Sequence, residues 1–398
     1  MSSTMTAGFD HRLDPELEEL RRLVERFAHE VIAPQIGAFY EREEFPYEIV
    51  RRLGELGVFG IPFPEEFGGM GGDLFGLSLA LEELARVDTS VAITVEAAVD
   101  LGAMAIHRYG SDAQRAEWLP RLCSGEMLAG FGLTEPDGGS DAGALRTRAE
   151  RVGDDWVING AKSFITNSGT SITGCVVVAA LTGGGGERAG ISTILIPAGT
   201  PGFDVGKSYS KVGWGATDTH ELAFTDCRVP VENLIGVEGR GYAQFLQILD
   251  EGRVAIAAIC TGLAQGCLDE AVRYAGERVA FGQPIGQFEG IQFKLADMDA
   301  RAHTARLAYW QAASKALRGE PFKREAAIAK LVGSEAAMQN ARDATQIFGG
   351  YGFMNESPVG RFYRDAKALE IGEGTSEILR LLIARELGLS TPLGRSEG

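Results

Sequence analysis

Twice along this chain the spacing of apolar residues changes, and that change limits the fold more than any other feature. Residues 242–278 form a long alanine-rich stretch at helical period, and 288–317, 322–348 and 376–387 continue it. Helices of this kind bury their apolar faces by packing antiparallel, which gives a four-helix bundle. Long helices with few prolines also tend to pack across subunits. Between about 129 and 238 the pattern is that of strands. Short runs at 129–134, 147–152, 156–158, 163–166, 175–181, 192–197 and 221–225 are separated by Gly, Asn and Asp turns. Gly183–Gly186 reads as a hairpin tip or a plain linker.

Up to about residue 128 the period is helical again. Asp14 stands as an N-cap before Pro15 at the first helical position, and Leu17, Leu20, Val24 and Phe27 follow at helical spacing. Pro46 opens a second helix running to Leu56. A glycine-rich loop at 68–72 precedes a third helix over 74–87, and 91–109 reads as a buried helix. The expected fold is therefore α+β and multidomain. An N-terminal helical domain (1–128) precedes a middle β-barrel or sandwich (129–238) and a C-terminal four-helix bundle (239–398).

Several function classes are disfavoured. The 398 residues carry a net charge of −17, which does not suit a nucleic-acid binder. No run of about 18–20 uninterrupted apolar residues marks a membrane span. The first residues have neither an apolar core nor an arginine-rich amphipathic pattern, so no leader is expected. Cys123, Cys175, Cys227, Cys260 and Cys267 are scattered, odd in number and free of C-x-x-C, which fits a reducing cytoplasm. The five histidines are equally dispersed, so no metal site is expected. There is no G-x-G-x-x-G, no P-loop and no G-x-S-x-G. A Rossmann dehydrogenase, an NTPase and a serine hydrolase are correspondingly disfavoured.

Six segments can carry chemistry. In Phe131-Gly-Leu-Thr-Glu-Pro-Asp-Gly-Gly-Ser140-Asp141 a strand runs into a turn rich in glycine and hydroxyls. Its bare N–H groups can hold a pyrophosphate, although Pro-Asp-Gly-Gly is equally an ordinary β-turn. Phe164 and Thr166 are two apart, hence on one strand face, suited to stacking on a planar ring and bonding its edge. Asp250-Glu251-Gly252-Arg253 puts a glycine inside the long helix, for a ligand chain or for a helix–helix contact. Arg278, near Phe281, ends that helix and can cap it or meet a phosphate. Gln346-Ile347-Phe348-Gly349-Gly350 stops a helix and leaves bare backbone. Last, Arg364-Asp365 precedes Gly372-Glu373-Gly374-Thr375-Ser376-Glu377. Glu373 stands between two glycines at the mouth of a helix that Thr375 or Ser376 caps, with Glu377 favouring the helix dipole.

Together, in this order, these segments resemble the acyl-CoA dehydrogenase family over about residues 14–390. The most specific pieces are Leu133-Thr-Glu-Pro-x-x-Gly-Ser140-Asp141 and Arg364-Asp365-Ala with Glu373-Gly374-Thr375-Ser376. The Asp250–Arg253 and Cys267 neighbourhoods look most like the short-chain and short-branched-chain branches. The resemblance implies FAD, a homotetramer, an acyl-CoA substrate and an electron-transferring flavoprotein as acceptor. It further implies that Phe131, Leu133, Thr134, Gly139, Ser140, Phe164, Ile165 and Thr166 line the flavin. Arg278, Phe281, Gln346, Ile347, Gly349 and Gly350 would reach the FAD of a neighbouring subunit, and Thr375 and Glu377 would cover its other side. Ser140, Asp250, Arg253 and Gly374 would contact the acyl-CoA. Glu373 would be the base that takes the α-proton, while the β-hydrogen leaves as hydride to the flavin.

The chain departs from that pattern at three places. Phe164 replaces a frequent Trp, Glu289 stands where Gln is common, and Gly372 replaces a frequent Tyr before the base. Gly252 excludes a base at that position of the long helix, and Glu251 points toward a different face. The expected product is a trans-2-enoyl-CoA from a short- to medium-chain acyl group, straight or branched. The rival readings are an oxygen-using acyl-CoA oxidase-like enzyme and a non-catalytic structural paralogue.

Overall fold

Pro15 at the first helical position fixes where the first described helix begins. The computed structural model describes residues 13–183 and 190–389, so the tip expected at Gly183–Gly186 falls, beyond Gly183, outside the described residues. Asp14 occupies the N-cap of α1 (Pro15–Phe27), but its side chain makes no capping bond. The proline's pre-set φ starts the helix instead. After α2 (Ile36–Arg42) and α3 (Tyr47–Glu55) comes α4 (Leu74–Ala85), capped by Asp73 accepting from the Gly76 amide at 2.9 Å.

The buried helix expected over 91–109 is three pieces in one run. α5 (Thr89–Glu96), capped by Asp88, passes into a π-helical stretch (Ala97–Ala103) and then α6 (Met104–Tyr109). α7 (Asp112–Cys123) starts in a capping box formed by Ser111 and Gln114.

The middle domain is an eight-stranded mixed sheet folded into two halves. One half holds β6 (Phe203–Ser208), β7 (Thr219–Pro230), β3 (Asp155–Thr166) and β2 (Arg148–Val152). The other holds β1 (Leu128–Gly132), β4 (Thr173–Thr182), β5 (Gly190–Pro197) and β8 (Leu234–Ile235). Among the described residues, the only register pair joining them is Arg148 with Leu181. Trp156, Ile158, Ile165, Val176, Ile194 and Phe224 fill the space between the halves.

The C-terminal domain is built on α8 (Gly241–Glu277). The short hairpin of β9 (Val279–Ala280) and β10 (Gln283–Pro284) leads to α9 (Glu289–Leu317), α10 (Lys323–Phe348), α11 (Pro358–Leu369) and α12 (Ser376–Glu386). α10 packs against α8, α9, α11 and α12. Thr89–Tyr109 and Gly241–Glu277 are long and apolar enough to cross a membrane. Yet 94% and 83% of their most apolar windows are buried within the protein, as core helices require.

Asp365 ties the three domains together. Its carboxylate accepts from Tyr40 Oη at 2.6 Å, Thr89 Oγ1 at 2.5 Å and the Trp214 amide at 2.6 Å. These donors come from α2, α5 and the loop after β6. Arg364 lies over the Tyr40 ring at 4.9 Å and pairs with Glu41 at 3.4 Å. The Arg364-Asp365 pair is therefore the clamp that holds α11, and through it the turn beyond, against the other domains.

Candidate active site

The turn from α11 to α12 is closed by its own backbone. The Gly372 amide donates to the Ala368 carbonyl at 2.9 Å, and the Ser376 amide to the Glu370 carbonyl at 3.1 Å. Between these ties Glu373 adopts φ 52°, in the left-handed region, and Gly374 follows at φ 105°. A glutamate held there stores roughly 1–3 kcal/mol of strain, a cost that clusters at functional sites. Thr375, not Ser376, is the N-cap of α12: its Oγ1 accepts from the Ile378 amide at 3.3 Å. Glu377 sits in the first turn, where its own amide and the Thr375 hydroxyl hold its carboxyl below the usual range. The fully buried Lys330 donates to the Gly374 carbonyl at 2.7 Å.

Glu373 as a whole is half-buried, but its Oε2 is enclosed and has no hydrogen-bond partner. Gly252 makes room for it. A Cβ at Gly252 would collide with Glu373 Oε2 and lie 3.4 Å from Asp100 Oδ2. The gap in α8 thus houses the carboxyl of Glu373. Glu251 faces elsewhere and pairs with Arg108 at 2.7 Å.

Two residues at this place were not picked out from the sequence. Glu96 and Asp100 are fully buried, and none of their carboxyl oxygens has a partner. Burial, then the neighbouring Glu373 and Asp100, hold the Glu96 carboxyl well above its usual range. Burial, with Glu251 and Glu373, does the same for Asp100. Glu373 is raised by burial, against the lowering effects of Glu96, Lys330 and Arg253. The signal in the sequence was two acids four residues apart in an otherwise apolar helix, where charges are rarely buried without a role.

The residues expected at the flavin fall into two groups. On β1 and the turn after it, Phe131 packs on Phe245 with ring centroids 4.3 Å apart, Thr134 is half-buried, and Gly139 and Ser140 are exposed. Glu135 anchors this turn, accepting from Lys162 Nζ at 2.8 Å, the Arg146 amide at 2.7 Å and the Thr147 amide at 3.0 Å. On β3 a bulge sets Phe164 at φ 62°, leaving the residue 66% exposed with its ring beside Tyr209, and Thr166 is half-buried two residues on. Ile165 and Leu133 are buried in the core, so only their backbones can face a ligand. Asn167 ties the end of β3 to α5 by donating to the Thr94 carbonyl at 2.9 Å, two residues before Glu96.

The second group lines a cavity of about 550 Å³ formed by Tyr274, Arg278, Ile347, Gly349, Gly350 and Tyr351 with their neighbours. Phe281 is 96% exposed near it in sequence, and Gln346 is exposed. Asp250 and Arg253 form an ion pair with each other, and Arg253 is buried with its Nε free of partners. These residues fit FAD. An open aromatic ring and a nearby hydroxyl suit a flat heterocycle. Glycines with nothing within 4 Å of an added Cβ (Gly349 and Gly350) suit close approach of backbone to a nucleotide.

Three family models match in succession: acyl-CoA dehydrogenase N-terminal domain over residues 14–126, middle domain over 130–227 and C-terminal domain over 239–388. The Bacillus subtilis (strain 168) protein described as "Probable acyl-CoA dehydrogenase YngJ" is 46% identical over 94% of this chain and 98% of its own length. The butyryl-CoA dehydrogenase structure from Megasphaera elsdenii superposes with a TM-score of 0.91 at 40% identity, covering 95% of this chain and 99% of that one. A chain in the structure reported for the electron transferring flavoprotein of Acidaminococcus fermentans gives 0.92 at 39% identity, over 95% and 99%. The chain belongs to the acyl-CoA dehydrogenase family.

Proposed function

We propose that this FAD-dependent acyl-CoA dehydrogenase desaturates a short- to medium-chain acyl-CoA, straight or branched, to the trans-2-enoyl-CoA, with Glu373 as base and an electron-transferring flavoprotein as acceptor. The family and its FAD dependence are established by the matches above. The observation that carries the assignment of the base is the seat of Glu373: a strained backbone, a glycine cut-out in α8, and a carboxyl oxygen with no partner. The short-chain expectation draws on the butyryl-CoA relative, and the acceptor on the electron-transferring flavoprotein structure.

The α-C–H of a thioester is a weak acid, so it needs a base within reach of that proton and a polarised carbonyl. The Glu373 amide makes no hydrogen bond among the described residues and supplies one donor for that carbonyl. The Glu373 carboxylate takes the α-proton. When bound, FAD would supply the oxidising half of the reaction, as an acceptor for the β-hydrogen and its electron pair. Phe164 and Thr166 bind the ring system, the turn held by Glu135 binds the pyrophosphate side, and Gly252 keeps the base in place.

The proposal includes a homotetramer, in which the cavity beside Arg278 receives a neighbour's FAD. Phe281 at 96% exposure and Phe353 at 88% are large apolar side chains suited to cover by another subunit. It also includes a cytoplasmic setting, which suits five buried, unpaired cysteines.

The test is an absorbance spectrum of the purified protein, followed by anaerobic addition of butyryl-, isobutyryl-, 2-methylbutyryl- and octanoyl-CoA. The flavin band is expected to bleach, fastest with one of the shorter esters. A colourless protein that FAD cannot reconstitute would overturn the reading, and fast reoxidation by oxygen would favour an oxidase.

A further inference from the structure

His220 stands on β7 between two bulges. β6 carries Gly206 and Lys207, and β3 carries Ser163 and Phe164, where β7 offers Glu221 alone. Both irregularities lie between the same two rungs of β7, Leu222 and His220. The β3 bulge is the one that holds Phe164 at φ 62°. A bulge takes backbone groups out of the ladder, and other partners must hold them.

The buried imidazole supplies such partners from both of its nitrogens. Nδ1 lies 2.7 Å from the Gly206 carbonyl in the β6 bulge, and Nε2 lies 2.6 Å from Asp218 Oδ1. Asp218 carries the connection onward. Its Oδ2 accepts from the Gly169 amide at 2.8 Å, and its carbonyl from the Asn167 amide at 3.3 Å. These residues belong to the turn directly after Thr166. A Cβ at Gly169 would strike the imidazole, so that turn packs on the ring itself. On the β6 side, Tyr209 stands beside the Phe164 ring and donates its amide to the Thr219 carbonyl at 3.0 Å.

The same geometry sets the protonation of the ring. A carbonyl and a carboxylate offer only lone pairs, and a neutral imidazole has one N–H. A neutral ring would therefore turn a lone pair on one of these two oxygens, whereas the imidazolium donates to both. The charged groups facing it are Asp218 on its own strand and Lys211 from the loop after β6. The turn at 167–169 brings none. Lys211 donates to the Thr217 carbonyl at 3.0 Å. The Asp218 hydrogen bond, with the Gly206 carbonyl, holds the imidazole above 6.5, against burial and Lys211.

We propose that His220 is a positioning residue for the flavin face: an imidazolium that pins the β6 bulge with one nitrogen and Asp218 with the other, and so holds Phe164 and Thr166 in place. The inference rests on Phe164 and Thr166 binding the flavin ring. The latch is complete below the unfolded imidazole value and is lost as pH rises through the raised folded one.

The experiment has two arms. The first is solid-state nitrogen NMR of the FAD-bound protein with 15N-labelled histidine. The His220 signals are assigned by replacing each of the other four histidines in turn. At about pH 6 both ring nitrogens are expected to carry a proton. A ring nitrogen without one overturns the proposal, including the case in which Asp218 keeps the proton and donates to Nε2. The second arm is the FAD dissociation constant, read by flavin fluorescence, between about pH 6.5 and 8.5. Wild type is expected to weaken about tenfold over that interval. His220→Gln has one donor end and one acceptor end, pins a single partner, and is expected to bind at both pH values like wild type at the upper one. A wild type unchanged over the interval, or a glutamine variant that follows the wild-type curve, overturns the proposal. Should His220→Gln fail to fold, the nitrogen signals decide, since their assignment does not need it. A wild type that takes up no FAD would instead remove Phe164 and Thr166 from the flavin, and the nitrogen signals of the flavin-free protein still decide the protonation.

Discussion

Two of the clusters of buried charge among the described residues are built on opposite terms. Around Glu135 every charge is answered. Lys162 is 0% exposed and donates to Glu135 at 2.8 Å and to the Leu133 carbonyl at 3.1 Å, while two backbone amides complete the carboxylate. Burial lowers the Lys162 ammonium to about 8. Burial pushes Glu135 upward, yet Lys162 and Thr147 hold it below its usual range. Around Glu373 the acids outrun their donors: Glu96, Asp100 and Glu373 together leave five carboxyl oxygens buried without a hydrogen-bond partner. A satisfied network fixes a shape, whereas unpaired, upward-shifted acids mark a place where protons move. Asp365 belongs with the first kind: burial raises it, but three donors satisfy it.

The sharpest way to break this contrast is at the base. Glu373→Gln is expected to retain FAD and lose about 10²–10⁴-fold in the rate of flavin bleaching. Lys162→Met attacks the answered cluster and is expected to cost about 3–5 kcal/mol in denaturant unfolding, because it strands a buried carboxylate. Adding Glu135→Gln should recover much of that loss. If Lys162→Met were neutral, the first cluster would not be scaffold. Gly252→Ala fills the cut-out beside Glu373 and is expected to lower kcat by about 10²-fold with FAD retained, since displacing a reacting group by about 1 Å costs that much.

Asp100→Asn should act most gently, through stability. Asp100 has its folded value raised above 3.8. Folding therefore favours its neutral form, and stability falls as pH rises from the unfolded value toward that raised value. The asparagine variant should gain little in mildly acidic buffer and roughly 2 °C in thermal midpoint at alkaline pH. An equal gain at every pH would show that Asp100 does not titrate with folding.

The same contrast explains what a single sequence discloses. Glu373 was legible because its signal is local: glycines on both sides and a capped helix behind it. The long helices were legible from period alone, to within a residue or two at α8, α9 and α10. β3 was read as two short strands because Asn159-Gly160 resembles a turn. In the fold it is one strand, with Gly160 at φ 149° packed against Thr147. Glu96 and Asp100 were hidden because their meaning is not local. A π-helical stretch has the same apolar character as an α-helix, and the carboxyl that Glu96 meets comes from the far end of the chain. Arg364-Asp365 was visible as a motif, but only the fold reveals it as a clamp between domains.

The central claim is that the base works from a buried pocket of acids short of hydrogen-bond donors, and the pH dependence of kcat/KM for butyryl-CoA in the wild type tests it most directly. The account predicts an acidic limb whose apparent pKa, belonging to the coupled carboxyls, lies above the ordinary glutamate value of 4.5. A limb at that ordinary value would contradict it.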